Sequence, residues 1–315
     1  MIVQENIIDN KEIRTACLDG IIEIAKKDDK VCFIDTDLVA SSGSGVFQKA
    51  FPNRFFNIGI MEAEAISMAA GLGVTGYKCF VHSFAPFASR RCFDQATVSS
   101  AYTDIPIVIL GTDPGITTAY NGGTHTTFED IAMFRSLSNT KVFDICDSVQ
   151  MYAIIKELGQ NMKGLNYVRF ARRPSRKIYQ DEMSFEIGKG IMIREGIDIC
   201  IFASGAMVSQ ALDTADILKS QGKSVRVIDL FTILPIDKDI IIKAAKECKH
   251  LVALDNHNIR GGLGSAIAEV LVAHYPVKLQ QIGAESFGQV ATFAQLLDIF
   301  GWTGEKLAKT IFKAI

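Results

Sequence analysis

Glu62 stands where a short apolar run turns into an Ala- and Met-rich stretch, in the segment Asn57-Ile-Gly-Ile-Met-Glu62-Ala-Glu-Ala. A lone carboxylate among apolar neighbours is either an acid stabilised at a helix N-terminus or a proton-handling group. Phe84 and Phe87, three apart at a predicted strand-to-helix junction, can line one wall of a pocket; alone they read as core. His125 lies in Asn121-Gly-Gly-Thr-His125-Thr-Thr, too polar and Gly-rich for a core segment, where a loop His is a site candidate and Thr126 or Thr127 a helix cap. Arg14, Arg90, Arg91 and Arg172 are each an anion ligand or a surface charge. One carboxylate, two aromatics, a loop His and several arginines suit a site for an anionic small molecule.

The elements that must position these residues alternate. Helical periodicity covers 11–27, and an apolar strand run follows at 31–34. A Ser/Gly loop from Ser41 to Gly45 leads to a strand containing Phe55, Phe56, Ile58 and Ile60, which turns at Gly59 into the Glu62 helix. Strand 78–84, helix 87–102, strand 106–110, a polar loop 112–127, helix 128–137, strand 141–145, helix 147–160 and strand 166–171 complete the pattern. Short apolar strands separated by helices predict a parallel sheet covered on both faces. A basic segment beginning at Arg172 breaks the rhythm, which resumes from 197 with alternating strands and helices. The expected fold class is therefore α/β, with two doubly wound domains: 1–175, a linker at 176–190, and a smaller domain at 191–315.

Composition narrows the function classes. A chain of 315 residues, 48% hydrophobic and 22% charged, is ordinary for a globular protein of two domains. A net charge of −2 offers no electrostatic reason for nucleic acid or an anionic membrane. Seven scattered cysteines without CxxC spacing indicate neither a disulfide framework nor a zinc site. The N-terminus lacks a charged segment followed by an apolar one, and no apolar run reaches spanning length, so the reading is cytoplasmic. Gly71-Leu-Gly73-Val-Thr-Gly76 matches GxGxxG formally, but a helix precedes it and a strand follows, the reverse of a dinucleotide fingerprint. Gly261-Gly-Leu-Gly264 reads as tight helix–strand packing.

At these motifs the chain resembles thiamine-diphosphate enzymes of the transketolase family. The resemblance rests on Asn57-Ile-Gly-Ile-Met-Glu62 and its helix, Phe84-Ala-Pro-Phe87, Arg91-Cys-Phe-Asp-Gln95 and Gly122-Gly-Thr-His125. It continues through Thr232-Ile-Leu-Pro-Ile-Asp237, Asp255-Asn-His257 and Gly261-Gly-Leu-Gly264-Ser, nearly the whole chain. It implies a pyrimidine-binding domain followed by a transketolase C-terminal domain. It also implies that Glu62 bonds N1′ of the cofactor's aminopyrimidine, which an acid in an apolar niche suits. By the same pattern Phe84 and Phe87 flank the pyrimidine, and Asp37 lies near the thiazolium. His125 donates to substrate oxygens, and Arg14, Ser41 and Arg172 hold a sugar's terminal phosphate.

The family's Gly-Asp-Gly segment, which holds diphosphate through a metal, is absent. The resemblance therefore implies a partner subunit carrying that domain and magnesium or calcium, with no metal ligand in this chain. The assembly expected is a dimer of heterodimers acting on small-molecule sugars. Asp113, Asn121 and Arg90 depart from the family's His, Asp and Tyr, and an Asp at 113 repels phosphate unless Arg14 or Arg172 compensates. A phosphorylated ketose donor is expected, with branched or sulfonated ketoses open. The alternatives are a deoxyxylulose-phosphate synthase, a 2-oxo acid dehydrogenase β chain, or a non-catalytic α/β binding module.

Overall fold

The computed structural model describes residues 2–3 and 6–314; Met1, Gln4, Glu5 and Ile315, at the ends of the expected domain spans, lie outside the described residues. The chain divides into two compact units, Met1–Pro114 with Met133–Phe185 and Gly115–Ala132 with Glu186–Ile315. Both are α/β, as the alternation predicts.

In the first unit the strands run, across the sheet, Thr140–Ile145, Leu165–Phe170, Ile107–Thr112, Lys78–Phe84, Val31–Asp35 and Phe55–Asn57. Every pairing among them is parallel. Their near-continuous burial is what a sheet covered on both faces demands. Phe33 packs between Phe47 and Phe55, with ring centroids 5.8 and 6.0 Å away. Helices Ile13–Ala25 and Ser148–Gln160 approach closely because each offers a glycine to the other's isoleucine. A Cβ at Gly20 would lie 2.9 Å from Ile155, and one at Gly159 would collide with Ile24.

Two elements differ from their sequence expectation. The predicted helix 87–102 is broken into Ala85–Arg90, Phe93–Gln95 and a π-turn at Ala96–Ala101. Hydroxyls compete with its backbone: Ser89 donates to the Ala85 carbonyl and Thr97 to that of Phe93, each at 2.7 Å. The predicted strand through Ile60 stops at Asn57, and Gly59 turns at φ +78°, leaving Ile60 67% exposed. Gly76, at φ +88°, makes the turn between the Glu62 helix and the next strand, so the GxGxxG segment ends a helix.

In the second unit the order is Leu279–Ala284, His250–Asn258, Ile199–Ala203, Val225–Asp229 and Ile191–Arg194. The last, an edge strand that the sequence pattern does not announce, pairs antiparallel. Gly115–Ala132 packs with this unit although it is inserted in the sequence of the first. Asn256 accepts the Ile116 N–H at 3.0 Å, Phe128 accepts that of Asn258 at 2.8 Å, and the Phe128 ring meets Phe300 and Trp302 edge-on. Gly262 and Gly264 allow tight packing, since a Cβ at either would strike Asp255 or Gln281. No helix among the described residues is long and apolar enough to cross a membrane.

Asp147 ties the end of the first unit together. It caps the helix Ser148–Gln160 by accepting the Gln150 N–H, and its other oxygen takes the N–H groups of Ile178 and Tyr179 at 2.9 and 2.8 Å. Burial pushes its carboxyl up to about 6, against the pull of those N–H groups and with Asp9 adding to the rise. A raised folded value gives stability that is fully present below the unfolded value of 3.8 and is lost as pH rises through about 6. Asp147→Asn stays uncharged, so its stability relative to wild type should rise by about 2 kcal/mol between roughly pH 4 and pH 6.5. Urea unfolding at the two pH values measures this. Parallel behaviour of the two proteins would show that Asp147 does not titrate there.

Candidate active site

Strands of a parallel sheet end together, and the crevice beyond their carboxyl ends is where such sheets place ligands. In the first unit the residues at those ends are Asp35, Asn57, Phe84 and Thr112, with Asp113 and Arg172 following their strands closely. Asp35 and His82 are register partners on adjacent strands, so their side chains share a face.

Asp35 is wholly buried. Its carboxylate accepts the Leu38 N–H at 2.5 Å and the hydroxyls of Ser42 and Ser44 at 2.9 and 3.0 Å. His82 Nδ1 lies 3.4 Å away, an ion-pair separation without hydrogen-bond geometry, and His82 Nε2 meets the Thr112 hydroxyl at 3.1 Å. Burial alone would raise the Asp35 carboxyl; His82, the Leu38 N–H and Ser42 outweigh it and hold the group below its ordinary value. These bonds fix the loop 36–44, which carries Asp37 and Ser41. Asp37 sits there at φ +64°, a left-handed conformation that Asp tolerates, and its N–H donates to Asn57 Oδ1 at 3.1 Å. Asn57 also accepts the Gly59 N–H, at 3.3 Å, so one amide joins this loop to the turn before Glu62.

Glu62 opens the helix Glu62–Val74 and is 5% exposed. Its niche is not only apolar, as the sequence suggests. The Ser83 hydroxyl donates to Oε1 at 3.1 Å and in turn accepts from Thr36 at 2.9 Å, while Arg91 Nη1 reaches both oxygens at 3.2 and 3.3 Å. The thiol of Cys92 is pushed up to about 12 by burial and by the charge of Glu62. Phe84 and Phe87 are half-buried, their centroids 6.4 Å apart and tilted by 59°. The Arg91 guanidinium lies 3.9 Å from the Phe87 centroid, and that of Arg172 lies 4.8 Å from Phe84. Arg90 ends the helix Ala85–Arg90, exposed.

The remaining first-unit candidates converge beside Phe84. Arg172 donates Nε to Asp113 Oδ2 at 2.6 Å and its backbone N–H to Oδ1 at 2.9 Å, with Nη2 also 2.6 Å from Oδ2. Asp113 is itself left-handed, at φ +53°. Arg14 donates Nε to Glu12 at 2.6 Å and Nη1 to the Ser41 carbonyl at 2.7 Å, which Arg172 Nη1 approaches at 3.4 Å. Arg14, Ser41, Asp113 and Arg172 are thus brought together.

Asn121 and His125 belong to the segment grouped with the second unit. Asn121 is exposed, and His125 is half-buried in a single 3-10 turn with its Nδ1 3.0 Å from the Thr124 hydroxyl. Thr118 donates to the His125 carbonyl at 3.1 Å. The sequence reading missed Asp35, His82, Thr36, Ser83 and Glu12. The signal for the first four was a polar residue at the end of each of two apolar strands.

If Asp35 organises the loop, Asp35→Asn should lose roughly 2–3 kcal/mol at pH 7, the scale of hydrogen bonds to a charged group. The depressed folded value places that stability above the unfolded 3.8 and removes it as pH falls below. Urea unfolding of wild type and variant at neutral and acid pH reads the gap, which should close in acid. An unchanged midpoint at pH 7 would remove Asp35 from this role.

Comparison with known proteins agrees with this architecture. Residues 9–176 match the model of the transketolase pyrimidine-binding domain, and 188–307 that of the transketolase C-terminal domain. The chain is 37% identical over 298 residues to a 6-deoxy-6-sulfo-D-fructose transketolase subunit, SqwH, of Clostridium sp. strain MSTE9, covering 94% of this chain and 92% of that one. It is 38% identical over 307 residues to a putative transketolase C-terminal section of Methanocaldococcus jannaschii, covering 96% of each. A solved split-gene transketolase, an inactive β4 tetramer, superposes with TM-score 0.89 at 33% identity, over 96% of this chain and 98% of that chain. By domain content, sequence and fold, the chain belongs to the transketolase family.

Proposed function

We propose that the chain is the C-terminal subunit of a two-subunit transketolase, transferring a two-carbon ketol unit from a ketose donor to an aldose acceptor. The observation that carries this reading is Glu62: a buried carboxylate at a helix start, held by Ser83 and Arg91 beside two half-exposed aromatic rings. These residues fit thiamine diphosphate, on which the family depends. Bound there, the cofactor supplies an electron sink for the ketol unit. Glu62 would hold a proton at the aminopyrimidine N1′, Phe84 and Phe87 would flank that ring, and Asp37 would face the thiazolium. Arg14, Ser41, Asp113 and Arg172 would meet the tail of the sugar.

A partner subunit completes the site in this reading, holding the diphosphate through magnesium or calcium in a dimer of heterodimers. Three observations support it. The chain covers 92% of SqwH and 86% of an apulose-4-phosphate transketolase subunit of Phocaeicola vulgatus, each one subunit of its enzyme by name. It covers only 45% of human transketolase-like protein 2. At the start of the Glu62 helix Ile60 and Met61, and in and just after the π-turn packed on that helix Val98 and Tyr102, are exposed, apolar surface suited to a partner.

Thiamine diphosphate with magnesium should bind tightly to the mixture of this chain and its partner and weakly to this chain alone, by calorimetry. Absence of binding to a folded complex would overturn the reading. In the complex, Glu62→Gln should slow exchange of the cofactor's C2 proton by roughly 100-fold or more while leaving assembly intact. Exchange at the wild-type rate would remove Glu62 from its role.

A further inference from the structure

The tail end of the site carries as many carboxylates as arginines. Arg14 is paired with Glu12 and Arg172 with Asp113, each at 2.6 Å. Side-chain exposures of 30% and 32% for the first pair and 16% and 4% for the second leave both partly shielded from water, so the pairing is weakly screened. One carbonyl, that of Ser41, joins the two guanidinium groups. The four charges therefore meet in one place and sum to zero.

The donors are not exhausted. Arg14 uses Nε and Nη1 in these contacts, and Arg172 uses Nε and Nη2 on Asp113 with Nη1 toward Ser41. The forks retain further N–H groups, and Ser41, whose carbonyl they share, carries a hydroxyl. Asp113, by contrast, already accepts two N–H groups from Arg172, with Nη2 a further 2.6 Å from Oδ2. The surroundings thus offer hydrogen-bond donors, which an anionic oxygen head needs, without the excess positive charge that a dianion needs. A first negative charge gains charge-assisted hydrogen bonds. A second meets the same donors, already neutralised, and the two carboxylates.

Resting on the ketol-transfer reading above, we infer that this end of the site accepts a ketose tail carrying a single negative charge, and that Glu12 and Asp113 reject a second. A sulfonate is such a tail, and a phosphate monoester above its second ionisation is the excluded one.

The test compares 6-deoxy-6-sulfofructose with fructose 6-phosphate at pH 8, using this chain assembled with its partner. β-Hydroxypyruvate serves as a donor without a tail, and each rate is normalised to it for the same protein. The sulfonate should be favoured in kcat/KM by about tenfold or more, chiefly through KM, because the tail contributes binding rather than chemistry. Glu12→Gln combined with Asp113→Asn should move the ratio toward phosphate by about tenfold, and each single variant should move it part of the way. Calorimetric titration of both sugars onto the full chain should follow the same order. Equal preference or a preference for phosphate in the wild type, or an unmoved ratio in every variant, overturns the inference while hydroxypyruvate turnover leaves ketol transfer standing. Failure to turn over hydroxypyruvate overturns the ketol-transfer reading, and the inference with it.

Discussion

A carboxylate sealed from water must be satisfied by its own neighbours, and Asp35 imposes that condition on the rest of the site. It ends a strand whose other residues are all apolar, so nothing in the strand itself supplies donors. The loop after it has to fold back and bring the Leu38 N–H and the hydroxyls of Ser42 and Ser44 to the carboxyl oxygens. That constraint places Asp37 and Ser41. On the facing strand it places His82, and with His82 come its chain neighbours Ser83 and Phe84. The Glu62 contact to Ser83 therefore depends on how the same strand end is held, although Asp35 never touches Glu62.

The two sides of the sheet end divide the work. On the face of Asp35, a buried carboxylate is hydrogen-bonded by the Leu38 N–H, Ser42 and Ser44, which fixes the backbone. One residue further along each strand, Thr36 and Ser83 form a chain of neutral hydroxyls that leads to Glu62. Hydroxyls can reverse donor and acceptor roles, whereas a fixed cation cannot, so this arrangement supports Glu62 whichever way its proton lies. Arg91 adds a charged contact from the exposed side, with its side chain 47% in solvent. An exposed guanidinium is held less firmly than a buried hydroxyl.

Much of this was legible in the sequence, for identifiable reasons. The alternation of strands and helices announced two α/β units because parallel strands buried on both faces read as continuous apolar runs. Glu62, Phe84 and Phe87 stand out through the resemblance to the transketolase family, since alone the two rings read as core. Asp35 and His82 were hidden because register between strands is a long-range property: no spacing in the chain says that residues 35 and 82 are partners. The break in the helix after Arg90 was hidden for the opposite reason. It arises from local competition by Ser89 and Thr97, which helical periodicity averages away.

Glu12 shows the same limit beside Arg14. The family resemblance implies a phosphate ligand at Arg14, and in isolation a guanidinium suits that role. The neighbour two residues earlier changes that argument, since Glu12 occupies the Nε edge of the fork. Asp113 does likewise to Arg172, aided by a left-handed backbone that turns its carboxylate onto both the side chain and the N–H of Arg172. What an arginine can recognise is set by the charge left over after its protein partners are counted, and that remainder exists only in the folded chain.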